Sequence, residues 1–166
     1  MFEKGDFVYY GTAGVCRVCD VCASPFGGDS DKMYYMLSPN DFDNSTVIYA
    51  PAEDGKVLLR ALLTAEEAEN LLSSLKTLAP IPVVNEKQRK EEYRSVLKEG
   101  TAHALAGIVK TVHLRRIAAA NTKKRMSETD TEFDKIARRA LVSELSAVMG
   151  KTYAEAEEML NTALEE

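Results

Sequence analysis

Apolar and polar positions change their rhythm once along this chain, near residue 64. Before it, short β-branched and aromatic runs are separated by turn formers. Asp6-Phe7-Val8-Tyr9-Tyr10 and Val15-Cys16-Arg17-Val18-Cys19-Asp20-Val21 read as two strands joined by a turn at Gly11-Thr12-Ala13-Gly14. Pro25-Phe26-Gly27-Gly28-Asp29-Ser30 is loop-like, and Met33-Tyr34-Tyr35-Met36-Leu37 is a third strand. Pro39-Asn40-Asp41-Phe42-Asp43-Asn44 turns into a fourth, Thr46-Val47-Ile48-Tyr49-Ala50, which Pro51 closes because proline cannot donate to a ladder. Strands this short, with turns between them, predict a small β-barrel of SH3 or Tudor size over residues 1–62.

Beyond that point the period is helical. Thr64-Ala65-Glu66-Glu67 is a capping box opening a helix with Ala68, Leu71, Leu72 and Leu75 on one face. Ala79-Pro80-Ile81-Pro82 breaks it. Asn85 caps a second helix running to about Lys98 and stopping at Gly100. A third carries the stripe Leu105, Ile108, Val109 and Val112 and ends around Asn121 and Lys123-Lys124-Arg125. A fourth opens near Ser127, buries Phe133, Ile136, Ala137, Ala140, Leu141 and Val148, and ends at Gly150. Thr152-Tyr153-Ala154-Glu155 is a further capping box, followed by a stripe of Tyr153, Ala156, Met159, Leu160 and Ala163. The expected fold is α+β: a barrel over 1–62 and a bundle of about five helices over 63–166.

The charge pattern adds a partner. The net charge of -5 hides a separation: residues 1–86 hold 6 Lys and Arg against 13 Asp and Glu, 87–139 hold 14 against 7, and 140–166 hold 1 against 6. A basic block in an acidic chain points to a polyanion, or else to a basic helix pair docking on the acidic barrel of the same chain. On the second helix Lys87, Lys90, Arg94 and Lys98 share one face, ~80° wide at ~100° per residue, with Arg89 roughly opposite. Lys110, His113 and Arg116 flank the apolar stripe of the third helix, followed by Arg115 and by Lys123, Lys124 and Arg125. Such a surface grips phosphates without reading sequence.

Other chemistries have little to build on. Cys16, Cys19 and Cys22 have metal-like spacing, but strand alternation sends Cys16 and Cys22 one way and Cys19 the other. No fourth ligand is near, because His103 and His113 lie in the helical half. The cysteines therefore read as small buried hydrophobes, and no metal or cofactor is expected. With two histidines and no phosphate-cradling glycine loop, no catalytic set assembles, so no enzyme is expected. No run of ~18 apolar residues exists to span a membrane. The first residues lack a secretory pattern, and the odd cysteine count fits a reducing compartment, so the expected location is the cytoplasm.

Several marks in order resemble one family. Gly5-Asp6-Phe7-Val8-Tyr9-Tyr10, Gly14-Val15-Cys16-Arg17-Val18, Tyr34-Tyr35-Met36-Leu37, Tyr49-Ala50-Pro51 and Leu59-Arg60 are similar to the barrel of CarD-type bacterial transcription regulators. The polymerase-interacting module of transcription-repair coupling factors shares that pattern. Tyr93-Arg94 and Leu141-Val142-Ser143-Glu144-Leu145 extend the likeness through the helical half, so it covers nearly the whole chain.

The resemblance implies a non-enzymatic regulator of initiation. Its barrel would bind the RNA polymerase β-subunit lobe through an exposed strand, here Thr46, Val47, Ile48, Tyr49 and Ala50, with Arg60 nearby. The composition of that strand fits a barrel core equally well. The helical domain would contact promoter DNA through Lys87, Arg89, Lys90, Arg94, Lys98, Lys110, His113, Arg115, Arg116, Lys123, Lys124 and Arg125. An adaptor whose helices recruit another protein is the alternative, with an RNA-binding barrel and a metal-dependent redox protein as further rivals. The chain departs from the family at polymerase-contacting arginines, which fall on Ser24 and Tyr49, and at basic positions that fall on Thr131 and Glu132. It also holds no tryptophan, and the place of the family's minor-groove wedge falls on Arg89.

Overall fold

A computed structural model describes the chain except for residues 29–30, 40–44, 54–56 and 83–84 and the side chain of Thr12. The turn expected at 39–44 and the end of the loop at 25–30 therefore lie largely outside the described residues. Two compact units follow one another, Met1–Leu62 and Leu63–Glu166.

The first unit is a five-stranded antiparallel sheet. Its strands are β1 (Phe7–Tyr10), β2 (Gly14–Ala23), β3 (Met33–Pro39), β4 (Ile48–Pro51) and β5 (Leu59–Ala61), in the order β4-β3-β2-β1-β5. A single 3-10 turn, Gly11–Ala13, joins β1 to β2. Only glycine suits its first position: φ is +42°, and a Cβ there would stand 2.6 Å from Val57 Cγ1. Alternation sends Val8, Cys16, Val18, Tyr35, Leu37 and Ala50 to one face as the core.

That alternation breaks once. Val18 pairs with Leu37 and Asp20 with Met36, so Cys19 is an extra residue in a bulge. The bulge reverses the faces beyond it. Val21, opposite Tyr35, packs on the core, while Cys22, opposite Tyr34, faces away from Cys16. The expectation that Cys16 and Cys22 share a side is thus corrected. Cys16 is buried, but Cys19 and Cys22 are only half-buried.

The second unit holds α1 (Ala65–Ser74), α2 (Glu86–Glu99), α3 (Ala102–Asn121), α4 (Glu128–Met149) and α5 (Tyr153–Glu165). Their starts are capped as the side chains dictate. Thr64 and Thr152 form capping boxes with Glu67 and Glu155, while Asn85, Thr101 and Ser127 accept from amides of the first turn. Gly100 ends α2 in the left-handed conformation. α3 is the axis of the bundle. From Leu105 to Val112 it is buried on every side, a wider burial than the expected stripe. The proline-flanked segment before α2 is pinned to it: Ile81 N donates to Thr111 Oγ1 at 2.8 Å, and Ile81 packs over Gly107. Two residues assigned to apolar stripes are exposed instead, Ile136 at 47% and Tyr153 at 40%, because each lies at the margin of its helix's buried face.

The burial of the three thiols yields a direct test. Under native conditions a thiol reagent is expected to label Cys19 and Cys22, with Cys16 reacting only on denaturation; protection of Cys22 alongside Cys16 would refute the bulged register.

Candidate functional site

β4 and β5 are the outer strands of the sheet. Ala52 N donates to Met33 O at 2.9 Å, and in the same register Ala50 faces Tyr35 and Ile48 faces Leu37. Bonded and non-bonded pairs alternate in an antiparallel ladder, so the N–H and C=O of Tyr49 point away from β3. Pro51, the next outward position, has no donor to leave unmet. The side chains settle what composition left open. Ala50 is buried in the core and Ile48 packs against it, while Val47 and Tyr49 remain exposed at 39% and 36%.

An aromatic patch lies beside this edge. Phe26, 73% exposed, sets its ring edge-on to Tyr49 at 5.7 Å and to Tyr34 at 6.1 Å. Ser24, which occupies a place where the resemblance implies arginine, donates its hydroxyl to Gly27 O at 3.4 Å, within the loop that presents Phe26. The sequence reading missed Phe26, although a large ring amid turn formers was the available signal. Arg60 is not part of this edge. It lies on β5, with its guanidinium carbon 4.2 Å from the centroid of the Tyr9 ring.

The expected cations of the helical unit separate into two sets. Lys87, Arg94 and Lys98 are exposed, and Lys90 is half-exposed, along the outward face of α2. None of the four makes an ion pair or hydrogen bond through its side chain with a described residue. Lys123, Lys124 and Arg125 are likewise exposed in the α3–α4 turn, where Lys123 takes a left-handed φ of 54°. Lys124 and Arg125 line a hollow of about 290 Å³ together with Arg115 and Ser127.

The other set is held by the protein itself. Arg89 and Tyr93 occupy the buried face of α2, one turn apart, and converge on Asp130 at the start of α4. The Tyr93 hydroxyl donates to Asp130 Oδ1 at 2.9 Å. Arg89 Nε stands 3.0 Å from the same oxygen, a charge contact without hydrogen-bond alignment. Arg115 Nε donates to Oδ2 at 2.7 Å. Arg89 is 6% exposed, so the expectation that it reaches a partner outside is corrected: a guanidinium this buried is stable only beside its carboxylate. Arg116 and Arg138 both donate to Asp134 Oδ2, at 3.3 and 3.4 Å, and Arg138 also donates to Asn161 Oδ1 on α5 at 2.6 Å. Lys110, 7% exposed on the enclosed half of α3, offers little surface.

Two groups titrate away from their ordinary values. Burial, reinforced by the hydrogen bond and charge of Asp130, pushes the Tyr93 phenol well above its usual range. The His113 imidazole is lowered by partial burial, then by Lys110, Arg116 and Arg138, with Glu165 opposing. Asp130, Asp134 and Arg138 were missed by the sequence reading. Acids at the start of α4 within a basic block were the signal, but nothing in sequence paired them with residues of α2 and α3. Among the described residues no group of His, Cys, Asp and Glu could hold a metal ion, and no helix is long and apolar enough to cross a membrane.

The family model described as CarD, C-terminal domain, matches residues 70–161, more than half of the chain. This chain belongs to the CarD family. It is a CarD-like, transcription-related protein, and the family is one of non-enzymatic transcription factors. A search of curated proteins returned no match. The matched span runs from late α1 to α5, so the Asp130 and Asp134 clusters and the α2 stripe all lie within the CarD domain.

Removing the carboxylate should therefore unsettle the CarD domain more than removing the phenol. Asp130→Ala leaves Arg89 buried and unpaired and is expected to lower stability by about 3–5 kcal/mol, against ~1–2 kcal/mol for Tyr93→Phe, by urea unfolding. Similar losses for both would show that Asp130 does not hold the charge. For His113 the folded value lies below 6.5, so the unfolded chain takes up its proton first. Stability should fall as pH drops through ~6.5, and His113→Gln should flatten that part of the urea-midpoint profile.

Proposed function

We propose that this CarD-family protein tethers RNA polymerase to promoter DNA during initiation. The sheet unit docks on the polymerase β-subunit lobe, and the helical unit lies against the DNA backbone. The observation that carries the first contact is the outer edge of β4. It offers the Tyr49 N–H and C=O to an incoming strand, with Tyr49 exposed, Phe26 edge-on to it, and Val47 exposed just before the strand. Strand addition takes its affinity from main-chain hydrogen bonds and its selectivity from side chains that alternate along the edge. An apolar outer strand without a partner is an aggregation hazard, which favours an occupied edge.

The DNA contact uses Lys87, Lys90, Arg94 and Lys98, with Lys123, Lys124 and Arg125. They are the expected lysines and arginines that are at least partly exposed and that no described carboxylate occupies; Lys110 also lacks a described carboxylate, but it is buried. These contacts go to phosphates and carry no base readout. Arg89 stays inside, so the α2 position equivalent to the family's wedge unstacks no base step. Two weak contacts on one chain act together once polymerase already holds the promoter.

Each contact has its own test. Tyr49→Pro removes an outward donor while sparing the amides that bond β3, and it is expected to abolish pull-down by the isolated β lobe. Binding equal to wild type would end the strand-addition reading. Lys90→Glu with Arg94→Glu is expected to eliminate retardation of duplex DNA at about 50 mM salt, where phosphate contacts are strongest. Unchanged retardation would place the DNA surface elsewhere.

A further inference from the structure

The strongest feature outside these contacts is a groove of about 520 Å³ between α1 and α5. Its floor is apolar and half-buried: Leu72 from α1, Met159 and Ala163 from α5. Its rim is acidic. Glu155, Glu158 and Glu166 line it on the α5 side, with Lys151 as the one cation among the lining residues. One oxygen of Glu155 accepts from Thr152 N, while Glu158 and Glu166 have no side-chain partner among the described residues.

The spacing of that rim matches another feature of the same unit. Glu155, Glu158, Thr162 and Glu166 stand at offsets of 0, 3, 7 and 11 along the chain, the offsets of Lys87, Lys90, Arg94 and Lys98 on α2. Each row therefore spans ~16 Å on a strip ~80° wide, the second one ending at Glu166, the C-cap of α5. One row is cationic and unpaired, and the other is acidic with an apolar floor beside it. Long lysine and arginine stems cover such a floor while their charged ends reach a polar rim.

We propose that the groove is a docking site for the α2 stripe of a second copy of this chain. The two surfaces lie on different helices, so the contact pairs unlike surfaces. It closes into an isologous dimer if both copies reciprocate and lengthens heterologously, head to tail, if they do not. Exposed ion pairs are individually weak and screened by salt, so association is confined to high concentration and low ionic strength. It covers the cations assigned above to DNA, so the groove competes with DNA for α2. The inference uses the stripe but stands without the DNA reading.

Sedimentation velocity on the full chain tests it. Wild type is expected to self-associate at about 50 mM salt and to be monomeric at about 0.5 M. Glu158→Lys with Glu166→Lys should abolish association, as should Lys90→Glu with Arg94→Glu. The chain carrying all four substitutions should regain it, because the charges are then exchanged rather than lost. All these positions are at least partly exposed, and circular dichroism checks the fold of each variant. A wild type that stays monomeric at both salt concentrations, or a folded four-fold variant that fails to associate, overturns the proposal. DNA retardation separates this from the DNA reading: Glu158→Lys with Glu166→Lys should retard DNA at least as well as wild type even where self-association is lost.

Discussion

One buried carboxylate organises the helical unit. Asp130 takes a phenol and a guanidinium from α2 on one oxygen and a guanidinium from α3 on the other. A charge enclosed to this degree is stable only when paired, and here one anion faces two cations. The cluster cannot be relaxed one member at a time. Loss of the acid strands Arg89, whereas loss of Arg115 leaves Arg89 and the Tyr93 hydroxyl in place. The bond geometry thus makes Asp130 the member on which the joint of α2, α3 and α4 depends, with Asp134 tying α3 and α4 to α5 through Arg138.

The same interaction sorts the basic block. Composition alone counts every lysine and arginine between residues 87 and 139 as surface for a polyanion. The fold withdraws Arg89 entirely and turns Arg115 and Arg116 onto internal acids, while the enclosed half of α3 takes in Lys110. What remains outside is a row on α2 and a cluster at the α3–α4 turn. A helix with Arg89 and Tyr93 turned inward must present Lys87, Lys90, Arg94 and Lys98 on its other side, because ~100° per residue places them there. The buried joint and the outward stripe are thus two faces of one helix.

Local features were legible in the sequence where the deciding partners are near in the chain. The Thr64–Glu67 and Thr152–Glu155 boxes, the Asn85 cap and the stop at Gly100 each involve residues within one turn, and all form as the residues dictate. The strands and their core face were legible up to Val18. The bulge at Cys19 was not, because an extra residue is defined only against the partner strand β3. Asp130 was illegible for a related reason: its partners lie 41, 37 and 15 residues away, and any acid of the block could have served them equally well. The family likeness carried information that spacing did not, yet it placed Arg89 where members insert a wedge, whereas Asp130 on another helix holds Arg89 inside.

On the function proposed, the enclosure of Arg89 and the exposed aromatic patch at the sheet edge bear on each other. A member that unstacks a base step holds DNA through the deformation it stabilises. On that reading, a chain whose equivalent residue is bound to its own Asp130 would be left with phosphate contacts, which are weak at physiological salt and carry no sequence information. Such a contact acts only where another interaction brings the helical unit to DNA. On the proposed function the burden of placement then falls on the sheet, where Phe26 lies edge-on to Tyr34 and Tyr49 beside the open side of β4. In the proposed arrangement, affinity at that edge and non-specificity on α2 would be complementary: the more faithfully β4 found polymerase, the less the helices would need to read.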